Sequence, residues 1–136
     1  MARVFRGKVA IPGDQMEAYF QALEQFEQGK KPLRKQLEQC AHDFVQTLAR
    51  QYTPKTVRKH EQILALFIDF VCWDTDVRHI EDITRGIANS HFRQWYRRKV
   101  GDRTESELKT TIKRFFHFLA EEKEIRNEAV LKSFHH

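Results

Sequence analysis

The chain is short of the residues that interrupt helices. It has five Gly and three Pro among 136 residues, and few Val-rich or Ile-rich alternating runs. That balance argues against a sheet and predicts an all-helical protein. Only two cysteines occur, Cys40 and Cys72, each on the apolar side of a helical pattern. No disulfide framework follows, and both read as buried, reduced thiols. No secretory-type signal is visible, and no apolar run approaches the ~20 residues that span a bilayer. The expected setting is a reducing cytoplasm without membrane association.

Signatures of catalysis are equally scarce. His60-Glu61 starts like a zinc-protease HExxH, but Leu64 stands where the second histidine belongs. The histidines and cysteines show no paired metal spacing, and there is no Gly-rich phosphate loop or Gly-x-Ser-x-Gly elbow. Glu121-Glu122 and Asp74/Asp76 read as solvated charges. The chain is therefore expected to be a binding domain rather than an enzyme, with no cofactor and no metal.

What is present is apolar bulk and unevenly placed charge. A hydrophobic fraction of 40% with eleven Phe supplies a core and argues against disorder. The formal charge of +5, from 24 Lys plus Arg against 19 Asp plus Glu, is modest. Its distribution carries the information. In the first half Glu17, Glu24, Glu27 and Glu38 offset Lys30, Lys31, Arg34 and Lys35, whereas positive charge concentrates in the second half.

Helical periodicity organises the chain. Residues 1–12 read as a short strand or an ordered tail, two alternatives that remain open. Asp14 is a candidate N-cap for an amphipathic arm on which Met16, Tyr19, Phe20, Leu23 and Phe26 share a stripe. Gly29-Lys30-Lys31-Pro32 reads as the strongest break, with Gly as C-cap and Pro in a new first turn. The expected organisation is an N-terminal segment and arm over 1–31, a helical domain over 32–132, and a tail over 133–136. Leu33, Leu37, Cys40, Ala41, Phe44 and Leu48 form one face of the next helix, to about Gln51. Thr53 then caps a helix with Pro54 at its first position, reaching about Trp73. Its second half, from Ile63, is apolar nearly all round apart from Asp69, which predicts a central position. Thr84 caps a helix reaching about Lys99, with Ile80 and Ile83 as anchors before it. Thr104 and Glu107 fit a capping box that opens a helix with a Leu108, Ile112, Phe115, Leu119 seam. A last short helix is expected between Ile125 and Phe134.

Two faces carry the functional reading. At ~100° per residue, Ser106, Lys109, Thr110, Lys113, Arg114 and His117 fall opposite the Leu108–Leu119 seam. Lys55, Arg58, Lys59 and Gln62 share an arc near the start of the Pro54 helix, with Thr53 and Thr56 at its open N–H groups. A helix N-terminus attracts anions, so cations there suggest a partner that compensates them, and phosphate fits. Arg93 and Arg97 on the intervening helix read either as secondary phosphate contacts or as an exposed helix end. Lys and Arg neutralise phosphates, and Ser and Thr hydrogen-bond phosphate oxygens or base edges. The expected partner is double-stranded DNA; a solvated helix face is the bland alternative for each set.

From about Leu37 to Leu131 the chain resembles the core-binding, SAM-like N-terminal domain of phage integrases and other tyrosine recombinases. The resemblance rests on YTPKTVRKHEQILALFIDFV, DITRGIANSHFRQWY and TESELKTTIKRFFHFLAEEKEI, with Asn127 close behind. It implies an orthogonal four-helix bundle, here with an additional N-terminal helix, that closes over one side of a recombination half-site. Carried over by position, Thr53, Lys55, Thr56, Arg58 and Lys59 would contact DNA from one helix. Ser106, Lys109, Thr110, Lys113 and Arg114 would do so from another. The recombinase catalytic set of Arg, Lys, His-x-x-Arg and nucleophilic Tyr has no match here. The resemblance therefore implies a piece of a longer recombinase or a free-standing relative that keeps only the binding module. Other protomers on the same DNA are further expected partners. The competing reading is a helical protein-interaction module without DNA binding, built on the aromatic content.

Overall fold

An apolar seam every three or four residues makes each of these segments helical, and the seams meet in one core. In the computed structural model, which describes residues 15–101 and 105–133, the protein is all-α. Helix α1 spans Met16–Ala49 and α2 spans Pro54–Asp74. A 3₁₀ turn at Ile80–Asp82 and a π-helical turn at Ile87–His91 precede α3, Phe92–Lys99. Helix α4 covers Glu105–Glu122, and α5 covers Glu128–Ser133. Asp14 and Thr104, the expected caps of the arm and of α4, lie outside the described residues. So does the strand-or-tail question over 1–12. Among the described residues no helix is long and apolar enough to cross a membrane.

The break expected at Gly29–Pro32 does not exist. Pro32 sits inside α1, so the arm and the first bundle helix are one continuous rod. The boundary drawn between 31 and 32 thus falls within a helix. An internal proline costs a helix about 3 kcal/mol, and this one is offset by what surrounds it. Gly29 lies under the Arg78 guanidinium, where an added Cβ would sit 3.1 Å from Nη1, so its role is close approach rather than capping. Lys30 is 4% exposed, and its ammonium donates to the carbonyls of Thr75 (2.8 Å), Val71 (3.2 Å) and Val77. These acceptors cluster at the end of α2, where carbonyls lack intrahelical donors and the helix dipole favours a cation.

Helices α1 and α2 form an antiparallel hairpin. Leu33, Leu37, Cys40, Phe44 and Leu48 face Ile63, Leu64, Phe67, Ile68 and Val71, all buried. Thr53 caps α2 by accepting from the Thr56 N–H at 3.3 Å. Asp69, the lone charge between Ile63 and Trp73, accepts from Arg34 at 3.1 Å. That stretch is not buried all round: Trp73 is 47% exposed. Phe67 meets Phe92 and Phe116 edge to face, at centroid distances of 5.0 and 6.2 Å, which ties α3 and α4 onto α2. Leu108, Ile112, Phe115 and Leu119 are buried as their spacing predicts. Both cysteines are buried free thiols, and burial raises the pKa of each.

Candidate nucleic-acid interface

The N-terminal halves of α2 and α4 adjoin. Thr53 and Pro54 start α2 at the turn after α1, and the α4 seam packs onto the same core, so the second turn of α2 meets the first three turns of α4. Polar contacts from Lys59 and His60 join them. Lys59 Nζ lies 3.4 Å from Glu107 Oε1, and Arg114 Nη1 lies 2.8 Å from His60 Nε2.

His60 is 2% exposed and organises this junction. A guanidinium can only donate, so Nε2 accepts from Arg114 and the ring proton resides on Nδ1. Nδ1 donates to Thr111 Oγ1 at 2.7 Å, and that hydroxyl donates to the Glu107 carbonyl at 3.2 Å. Burial, then the Arg114 and Lys59 charges, hold the His60 pKa below its ordinary value. The neutral tautomer is the one this chain of hydrogen bonds requires. Arg114 is held on its other side as well, 4.6 Å over the Tyr52 ring. A groove of about 460 Å³ runs beside it, with Thr47, Gln51 and Tyr52 on one wall and Thr110, Lys113 and His117 on the other.

The expected residues divide into three groups. Lys55, Arg58 and Gln62 are exposed on α2, and with Thr56 and Lys59 they line a single shallow depression. Lys109 and Ser106 are exposed on α4, with Thr110, Lys113 and Arg114 half-buried beside them. These two groups stand on the adjoining helices. Arg93 and Arg97 belong to α3, which packs through Phe92 and Trp95 on Phe67 and Phe70. That contact lies about two turns farther along α2 than Lys59.

Some hydroxyls and charges are engaged within the fold. Thr53 Oγ1 serves the cap and also lies 3.1 Å from Thr56 Oγ1. Thr110 Oγ1 donates to the Ser106 carbonyl at 2.7 Å, which leaves its lone pairs rather than its proton for a partner. Lys59 carries Glu107 as a counter-charge, so the cleanest cations of the two faces are Lys55, Arg58 and Lys113. Sequence reasoning missed Tyr52, His60 and Thr111. For His60 and Thr111 the signal was present only as polar residues at apolar-phase positions, and Tyr52, exposed in the turn between α1 and α2, gave none. A buried polar group needs a partner, but periodicity does not say which.

Compared with known proteins, the chain matches no protein family, no curated protein and no solved structure.

Proposed function

We propose that this chain binds duplex DNA through the N-terminal halves of α2 and α4, in the manner of the core-binding domain of a tyrosine recombinase. On this reading the helices form the orthogonal SAM-like bundle of that family, and the chain positions DNA without cleaving it. The observation that supports it most is the junction of α2 and α4 at Lys59–Glu107 and His60–Arg114. It puts Lys55, Arg58 and Lys113 on neighbouring helices, where cations would meet successive phosphates of one backbone. Arg114, fixed between His60 and Tyr52, would present a pre-oriented guanidinium at low entropic cost.

One module neutralises only a few phosphates, so affinity for generic duplex should be in the micromolar range or weaker, about 10⁻⁴–10⁻⁶ M at physiological salt. The test is fluorescence anisotropy with a labelled duplex across a salt series. Binding should fall steeply with salt, and Lys109→Ala and Lys113→Ala should each weaken it and reduce the log–log salt slope by about 1. Binding that ignores salt, or no binding at low salt, would refute the reading.

A further inference from the structure

Helix α1 is longer than the bundle it packs in. Its antiparallel partner α2 ends at Asp74, and Lys30 closes that end by donating to the carbonyls of Val71, Thr75 and Val77. From Met16 the described part of α1 therefore extends past the end of α2, and only its last turn, around Glu27 and Gly29, still meets Trp73 and Arg78. The overhang from Met16 to Gly29 is about 20 Å long at 1.5 Å per residue.

The overhang keeps the apolar phase of the buried part. At ~100° per residue, Met16, Tyr19, Leu23 and Phe26 lie on the same side of α1 as Leu33 and Leu37. The seam thus runs off the end of the bundle: Leu23 and Phe26 are half-buried, Phe26 beneath the Lys30 ammonium, and the residues farther out are exposed. Met16 is 39% exposed, Tyr19 41% and Phe20 56%. Tyr19 and Phe20 rest on each other, with ring centroids 5.7 Å apart. At its base the stripe reaches Trp73, which shares a small cleft with Glu27 and Lys31. Scattered apolar residues on a surface carry no message, but a continuous aromatic stripe does.

The charge on this overhang names the chemistry of its occupant. Between Met16 and Gly29 the charged residues are Glu17, Glu24 and Glu27, with no Lys or Arg, in a chain whose formal charge is +5. The same projection sets all three glutamates along one edge of the stripe, and Ala18 and Ala22 along the other. An acidic edge repels DNA and anionic lipid, and it repels the same edge of a second copy. Small residues on the opposite edge allow a close approach between helices. We infer that this face docks a cationic amphipathic helix of a partner protein, about three turns long. That helix extends the line of α2, with its apolar side on Tyr19, Phe20 and Leu23 and its Lys or Arg against Glu17 and Glu24. The inference is independent of DNA binding by α2 and α4.

Two fluorescent fourteen-residue model helices test it by anisotropy against the whole chain. Both carry the same leucine face; one is otherwise lysine, the other glutamate. Bulk charge alone favours the glutamate peptide on a cationic protein, whereas docking on the overhang favours the lysine peptide. Phe20→Asp, a change at an exposed position, adds negative charge and should still weaken lysine-peptide binding about tenfold or more. The double variant Glu17→Lys/Glu24→Lys should abolish or reverse the preference. Preference for the glutamate peptide, or unchanged binding by Phe20→Asp, would overturn the proposal. So would an arm-dependent dimer in sedimentation, or tighter binding to anionic phosphatidylserine vesicles than to the lysine peptide.

Discussion

Arg114 Nη1 donates to His60 Nε2 across 2.8 Å, so a surface arginine of α4 is anchored on a histidine buried in α2. The bond requires neutral imidazole, because a proton on Nε2 would face a guanidinium. Burial and the neighbouring Arg114 and Lys59 already push the histidine pKa down.

This makes the junction acid-sensitive, with a definite sign. The folded chain binds the His60 proton less readily than the unfolded chain, whose histidines titrate near ~6.5. The contribution is complete above that pH and is lost as pH falls below it toward the lower folded value. Denaturant melts of wild type and His60→Gln should give a stability difference that changes as pH falls below ~6.5. A difference that stays flat through acid would mean that His60 is not held neutral by the fold.

Lys30→Met should destabilise the protein by about 2–4 kcal/mol, because the Thr75 and Val77 carbonyls lose the ammonium donor, while that of Val71 keeps the Thr75 hydroxyl. Burial draws the ammonium down to about 8 from 10.5, which leaves it largely protonated at neutral pH. Between those values the unfolded chain holds the proton more tightly, so wild type should gain stability on the variant as pH rises. Chemical denaturation at neutral and at alkaline pH measures both effects.

Asn127 is a second such tie. Its Nδ2 donates to the carbonyls of Ile80 (2.9 Å) and Ile83 (2.8 Å), and its Oδ1 accepts from the Val130 N–H (3.0 Å) at the start of α5. One side chain thus caps a helix and closes the connector between α2 and α3. Asn127→Ala should cost about 2–4 kcal/mol, and Asn127→Asp should fail to rescue it, since a carboxylate cannot donate to the two carbonyls. Thermal unfolding of both variants is the check.

Glu124 has φ 56, the left-handed conformation that glycine adopts without strain. It follows the end of α4, where the Ile125 N–H reaches back to the Leu119 carbonyl at 2.9 Å. Glu124→Gly should therefore raise stability by up to about 1 kcal/mol, in contrast to most glycine substitutions. An unchanged or lowered melting temperature would count against strain at this position.

The amino-acid sequence alone determined the helical class, the Thr53–Pro54 start of α2, the Leu108–Leu119 seam and the cationic arcs of α2 and α4. Each is set by periodicity or by chemistry within a turn or two, which the linear order records. Tertiary structure decided the rest. Gly29 and Pro32 carry the local marks of a helix end, yet Arg78 over Gly29 and the α2 carbonyls around Lys30 keep α1 whole. The His60–Arg114 bond and the Asn127 tie likewise join residues far apart along the chain. Such pairings depend on how helices cross, and a buried polar side chain announces only that it needs a partner.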